Sequence, residues 1–275
     1  MNSKNKKIIQ TIYESGEIAS KYFNNKDNKI DYKNDNSPVT KADIEVNEYL
    51  EKNIRKIYKN TNFLSEEDIF AKQIQSIEKK DFFIIDPIDG TSSFIEGSKD
   101  FTINVSYVKN NILQFSSIYI PMRKIMFFAD EKNSFKITSK DFLIDNNIYK
   151  LNYINNKKNS ILKVITTKRK DEIKEIKKYL TNSINKYRYT HVASSKKFCD
   201  LSEGISDIYI RKAKIRLWDV AAGFHIANNA GFEILDMTGK NLFEIFLNKN
   251  YLAKIAENDF RIDEFIIKPH DLKIF

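Results

Sequence analysis

Apolar residues recur along this chain at two spacings, and the switching between them outlines its elements. Between Lys7 and Phe23 the residues Ile8, Ile12, Ala19, Tyr22 and Phe23 fall at helical spacing, and Asn24 to Asn36 is polar, which predicts a helix followed by a loop. Thr40 stands where an N-cap belongs, and Val46, Leu50, Ile54 and Ile57 continue along one face of a second helix. Phe82 to Ile85 is a short apolar run that stops at Asp86-Pro87, the pattern of a buried strand entering a turn. From Phe101 to Phe128 the segments FTINVSYV, LQFSSIYI and KIMFF, separated by short polar turns, predict an antiparallel meander. After a polar stretch over 152–160, strand and helix alternate: ILKVITT, a charged helix over Asp171–Leu180, YRYTHV, and an apolar helix beginning near Asp219. The expectation is an α+β half over 1–150 and an α/β half over 151–275. With no internal repeat and only seven glycines, the halves should share a broad interface.

Composition narrows the chemistry. A chain of 275 residues that is 41% hydrophobic can bury a proper core. The single cysteine, Cys199, excludes an internal disulfide, and His191, His225 and His270 lack zinc-type spacing, so any metal would be a hard one bound by oxygen. No run approaches the roughly 20 apolar residues of a membrane span, and MNSKNKKIIQ lacks the apolar segment of a signal peptide, so a cytoplasmic location is expected. The net charge of +9 suits a nucleic acid, the acidic inner face of a membrane, or a small anion. Because the lysines are dispersed, with no basic block interleaved with aromatics, specific nucleic-acid binding is disfavoured and a small anionic substrate is preferred. Peripheral membrane contact stays open, as does the choice between monomer and homodimer.

Four acidic segments sit at predicted element ends. Asp86 and Asp89 lie three apart across a proline-bearing turn, followed by Gly90 and Thr91, where backbone amides at a helix start could approach a phosphate. Taken alone, the run also reads as a capped turn. Glu66 and Glu67 follow the apolar Phe63-Leu64 and alone would pass for an exposed acidic turn. Asp219 follows Trp218 at a helix start, where a carboxylate is also an ordinary cap, and Asp43 could simply close a capping box with Thr40.

Together, in this order and at these separations, SPVTKAD, LSEED, DPIDGT and LWDVAAG resemble the inositol monophosphatase superfamily of metal-dependent phosphatases, over roughly residues 5 to 240. The resemblance implies the layered αβαβα sugar-phosphatase fold, with a large antiparallel N-terminal sheet, a smaller C-terminal α/β half and the metal site between them. It implies two or three magnesium ions held by Glu66, Asp86, Asp89, Asp219 and the carbonyl of Ile88, with Asp86 bridging two of them. Such ions polarise the phosphate and activate a water. Thr91, hydrogen-bonded to Asp43, would position that water, and the amides of Gly90 and Thr91 would hold phosphate oxygens.

Within the superfamily, SSKKFCDLSEGISDIYIR over Ser194–Arg211 is similar to the CysQ-type 3'(2'),5'-bisphosphate nucleotidases. That likeness implies hydrolysis of the 3'-phosphate of adenosine 3',5'-bisphosphate to give AMP. Ser195, Lys197, Tyr209 and Arg211 then become substrate residues beside Glu66, Gly90, Thr91, Ser92 and Asp219, with Lys197 or Arg211 offsetting the second phosphate. Two departures bear on the substrate: Ser92-Ser93 replaces the Lys-Glu usual in that branch, and KAKIRLWD replaces its Pro-Thr pair before Trp-Asp. They keep inositol 1-phosphate or another sugar phosphate as an alternative. A non-catalytic binder of anions or nucleic acid is the alternative of a different class. Cys199 and Phe198 read as core, and the tail after Asn248 matches no motif.

Overall fold

The structure, a computed structural model, describes residues 2–25, 30–33, 38–138, 147–153, 161–166, 170–183 and 186–272. Most of the polar stretch expected over 152–160 lies outside these residues. The expected loop over 24–36 is described in part, and it contains a strand, β1 (Ile30–Tyr32), paired antiparallel with β2 (Pro38–Thr40). Helix α1 (Ser3–Tyr22) precedes this hairpin and α2 (Lys41–Ile57) follows it, capped at Thr40.

Among the described residues the main sheet has seven strands in the order β3 (Asn62–Ser65), β4 (Asp81–Asp89), β5 (Thr102–Lys109), β6 (Ile112–Ile120), β7 (Ile125–Asp130), β8 (Ser134–Ile137) and β9 (Ile148–Leu151). Only β3 and β4 pair in parallel, with the short helix α3 (Phe70–Ile77) as their crossover, and the rest is the expected meander. Alternate residues of a strand face opposite sides. Thus Phe83, Ile85, Ile103, Val105 and Phe115 pack with Ile8, Ile12, Val46, Leu50 and Ile54 of α1 and α2. Phe82, Ile84, Ile118 and Ile120 join the core of the opposite face.

That opposite core contains α6 (Lys196–Ser202) and α7 (Leu217–Asn229), and beyond them lies a second sheet. Its order is β11 (Tyr187–His191), β10 (Leu162–Thr166), β12 (Ile208–Arg211), β16 (Phe265–Pro269) and β14 (Phe232–Asp236), with β16 antiparallel to both its neighbours. Helix α5 (Lys170–Ser183) covers the outer face through Ile176 and Leu180. The layers are therefore α1/α2, main sheet, α6/α7, second sheet, α5: the αβαβα arrangement. A helix between two sheets needs apolar residues all round, and every residue of α7 from Leu217 to Ala227 except Asp219 is buried. Beside these stand α8 (Lys249–Ala256) and a two-stranded ribbon of β13 (Ile215–Arg216) with β15 (Arg261–Ile262).

Candidate active site

Strand β4 does not end in a turn at Asp86, as the proline suggests; it runs on to Asp89 through an irregularity. Asp86 pairs with Asn104 and Asp89 with Thr102, so two residues of β4 stand against one of β5. This is a bulge, one of the places in a sheet where a residue without an N–H, here Pro87, fits. It also fixes the chemistry. Three residues apart on a regular strand, Asp86 and Asp89 would face opposite ways, but Asn104 and Thr102 are two apart and share a face, so their partners share it too. Asp89 Oδ2 accepts from Thr102 Oγ1 at 3.4 Å and Asn104 Nδ2 at 3.5 Å. The shared face is that of Phe82 and Ile84, toward α7.

Glu66 follows the end of β3 and donates its N–H to Ile85 O at 3.1 Å, which extends the ladder beside β4. Asp219 stands in the first turn of α7, where its Oδ2 accepts from Arg216 N at 3.3 Å. One carboxylate oxygen from each of Glu66, Asp86 and Asp219 lies within 4.8 Å of the other two. Asp86 is 1% exposed, and neither of its carboxylate oxygens has a hydrogen-bond partner among the described residues. A buried, unsatisfied carboxylate beside two others is costly unless a cation completes it. Burial and the charges of Glu66, Asp89 and Asp219 push the Asp86 carboxyl well up, and the withdrawal of the partly buried Asp219 carboxyl from solvent, with the charges of Asp89 and Glu66, raises it too. These hard oxygens with unused lone pairs fit a divalent ion such as magnesium.

Lys33, which sequence reasoning passed over, reaches into this cluster. Its Nζ lies 2.8 Å from Glu66 Oε1 and 2.8 Å from Glu67 Oε1. Burial opposes its charge, but the two glutamates prevail and raise its pKa. The segment, which taken alone reads as an exposed acidic turn, is therefore partly buried and ion-paired, and burial lifts Glu67 to about 7.

Thr91 begins the one-turn helix α4 (Thr91–Ile95), and its Oγ1 lies 3.0 Å from Ile88 O and 3.3 Å from Asp43 Oδ1. The Ile88 carbonyl is thus within reach of the Thr91 hydroxyl. Asp43 closes the capping box of α2 through its other oxygen, which accepts from Thr40 N at 2.8 Å and Thr40 Oγ1 at 2.6 Å. The two readings of Asp43, cap and partner of Thr91, hold together. Burial raises its carboxyl to about 6. Gly90 has φ +89°, and a Cβ there would stand 3.2 Å from Ser194 Cβ, so both conformation and space call for glycine.

A cavity of about 560 Å³ opens on this cluster, lined by Glu66, Asp89 and Asp219 and also by Ser92, Ser195 and five cations. Of these, Lys197 and Arg211 were legible in the sequence, whereas Lys214, Arg216 and Arg261 were not. Ser195 Oγ donates to Asp219 O at 2.8 Å and accepts from Asn104 Nδ2 at 2.9 Å, fastening α7 to β5. Tyr209 departs from expectation. It is fully buried, with its ring edge-on to Phe198 and Phe265, and it supports the cavity wall from behind instead of lining it. Phe198 and Cys199 are buried, as read.

A layered α/β protein with such a carboxylate cluster beside a cationic cavity has the build of a phosphate-ester hydrolase. The chain belongs to the inositol monophosphatase family, whose model matches residues 4–268, and it is a phosphatase of that family. Among its relatives, the 3'(2'),5'-bisphosphate nucleotidase CysQ of Salmonella typhimurium is 30% identical over 227 residues, covering 81% of this chain and 87% of the relative. The protein of the same description from Escherichia coli K12 is 28% identical over 253 residues, 90% of this chain and 98% of the relative. Among solved structures, CysQ of Bacteroides thetaiotaomicron, a bacterial member of the family, superposes with a TM-score of 0.73 at 23% identity over 97% of both chains. The extragenic suppressor protein suhB of Bartonella henselae gives 0.76 at 16% identity, covering 98% and 95%. At these identities the structural matches speak for the fold.

Proposed function

We propose that this protein is a magnesium-dependent phosphomonoesterase that hydrolyses the 3'-phosphate of adenosine 3',5'-bisphosphate to give AMP and inorganic phosphate. The observation that carries the reading is Asp86, buried without a hydrogen bond to either oxygen among the described residues, with Glu66 and Asp219 close by and beside a cavity rich in cations. Glu66, Asp86, Asp89 and Asp219 would hold two or three magnesium ions. When bound, magnesium supplies Lewis-acid polarisation of the phosphate and a more acidic water.

The chain's own residues supply orientation. With its proton directed to Asp43, the Thr91 hydroxyl turns a lone pair toward the cavity, where it accepts a hydrogen bond from the attacking water and aims it. Asp43 must be ionised for this. Gly90 and Thr91 present backbone N–H groups to the phosphate oxygens. Lys33 neutralises Glu66 and Glu67 while no ion is bound, keeping the cluster tolerable. The nucleotide assignment draws on the relatives' descriptions, and the likeness of Ser194–Arg211 to that branch supports it.

Inositol 1-phosphate is the second reading, kept because Ser92-Ser93 departs from the Lys-Glu of the nucleotidase branch, although it is not the pair typical of the inositol phosphatases either. Phosphate release from adenosine 3',5'-bisphosphate and from inositol 1-phosphate, each with magnesium and with chelator, decides between them. A preference for inositol phosphate overturns the nucleotide assignment, and release that persists in chelator overturns the metal dependence. No described helix is long and apolar enough to cross a membrane, and peripheral contact with a membrane face, left open by the sequence, gains no support.

A further inference from the structure

The cavity holds more positive charge than a single phosphate at a magnesium site requires, and its cations are not equivalent. The Arg211 guanidinium is directed into the protein: Nε donates to Ala213 O at 3.0 Å, one Nη to Lys214 O at 3.4 Å, and the other lies 3.5 Å from Glu172. Lys197 is likewise buried, its ammonium 2.5 Å from Ser194 O and 3.5 Å from Val192 O. Both spend their hydrogen bonds on holding loops.

Arg216 and Arg261 are arranged differently. They stand directly opposite each other in the β13–β15 ribbon, and both line the cavity. Like charges facing across an antiparallel pair are destabilising unless an anion lies between them. Here the anion is Asp259, half exposed, whose Oδ2 is 2.5 Å from Arg216 Nη2 and 3.7 Å from Arg261 Nη2. Asp259 reaches that position through an uncommon turn, since Asp259 and Phe260 both have φ +53°. Such conformations cost energy in residues other than glycine and collect at functional sites. The pair is also tied to the chemical centre, because the backbone N–H of Arg216 donates to Asp219. Asp259 itself lines a neighbouring cavity of about 300 Å³ together with Arg216 and Glu66, so the two guanidinium forks of the main cavity wall converge on a carboxylate just beside it, a geometry that a phosphate, with more oxygens and more charge, satisfies better.

We propose that Arg216 and Arg261 form the subsite for a second phosphate of the substrate, the one that is not cleaved, and that Asp259 occupies the pair until that phosphate arrives. The inference rests on the phosphatase reading above and deepens it. The substrate class is a bisphosphate, and its second phosphate is read by this pair and not by Lys197 or Arg211.

Three measurements test it. For Arg261→Gln, kcat/KM for adenosine 3',5'-bisphosphate should fall relative to that for 3'-AMP by about tenfold or more, the effect of losing a hydrogen bond to a charged group. Asp259→Asn keeps a residue that tolerates positive φ and removes the competing charge, so KM for the bisphosphate should drop about threefold, a gain that damage to the fold does not produce. Calorimetric titration of the metal-free protein with AMP and with adenosine reads the subsite without turnover: AMP should bind more tightly than adenosine, and Arg261→Gln should remove that advantage. An unchanged bisphosphate preference in Arg261→Gln, or AMP binding that ignores Arg261, overturns the proposal. Absence of phosphate release from both nucleotides, with AMP binding still dependent on Arg261, would sink the nucleotidase reading and leave the phosphate subsite standing.

Discussion

Replacing Asp86 by asparagine tests the central cluster by stability as well as by activity. The side chains are nearly the same size, so the change removes a charge and little else. One oxygen of each carboxylate lies within 4.8 Å of the other two, and at that limit two ionised carboxylates repel by about 3 kcal/mol at an effective dielectric constant of about 20. Two relaxations limit what the metal-free protein suffers. Lys33 already pairs with Glu66, and the raised Asp86 carboxyl takes up a proton instead of bearing the full repulsion. Relief of about 2–3 kcal/mol, somewhat less than the full repulsion, is therefore expected from Asp86→Asn. For a chain of this size that is a rise in Tm of roughly 4–12 °C. Scanning calorimetry near neutral pH, in chelator and then in millimolar magnesium, provides the comparison. In chelator the variant should melt higher than the wild type. Magnesium should stabilise the wild type but hardly the variant, and phosphate release by the variant should be lost. A variant that melts at or below the wild type in chelator, or that gains as much from magnesium, would refute the argument that Asp86 is an unsatisfied carboxylate reserved for a cation.

The same structure sets three further expectations. Asp43 must be ionised to accept the hydrogen bond by which Thr91 is oriented toward the water, and burial raises its carboxyl to about 6, so kcat/KM should climb as pH rises through about 6; Asp43→Asn should abolish that limb and lower kcat about a hundredfold, within the usual range for general-base assistance. His225 is buried against Ser116 and its pKa is held down near 4 from 6.5, so the unfolded chain binds the extra proton between those values. Stability from this group, about 3 kcal/mol, is therefore complete above about pH 6.5 and lost as pH falls toward about 4, and urea unfolding of His225→Gln should show a flatter acid slope. A Cβ at Gly223 would meet the Phe198 ring at 2.2 Å, so Gly223→Ala should cost about 1–3 kcal/mol in urea unfolding even though alanine is the better helix former.

Local periodicity carried most of the first half of the fold. Helices α1 and α2 each turn one apolar face to a single core, and β5, β6 and β7 are apolar runs buried on both faces and separated by short polar turns, so each leaves a readable pattern in the chain. The features that escaped depend on partners far away. The β4 bulge follows from the register against β5, and a reader of the chain alone sees Pro87 as a stop. Strand β16 lies between β12 and β14, yet its segment FIIKP has no partner nearby in sequence to announce it. In the site, the carboxylates were legible because four short motifs recur in a fixed order. Lys33 was not, since its bonds to Glu66 and Glu67 join a short hairpin to the end of a strand more than thirty residues on. Arg216 and Arg261, forty-five residues apart in sequence, are brought together by the β13–β15 ribbon.

The ribbon bears on how specificity and chemistry are joined. Leu217, the first residue of α7, donates its N–H to Phe260 O at 2.9 Å, so the helix start is pinned to the turn that carries Asp259. One residue earlier stands Arg216, and two residues later Asp219. A substrate that draws Arg216 and Arg261 away from Asp259 therefore acts on the same helical turn that sets the Asp219 carboxylate against Asp86 and Glu66. Because α7 is gripped between two sheets, with Phe224 packed edge-on to Phe198, Phe246 and Phe265, that turn cannot be displaced independently of the helix. Energy gained at the second phosphate is thus available to align the acidic cluster, and loss of the arginine pair should reach kcat as well as KM for a bisphosphate.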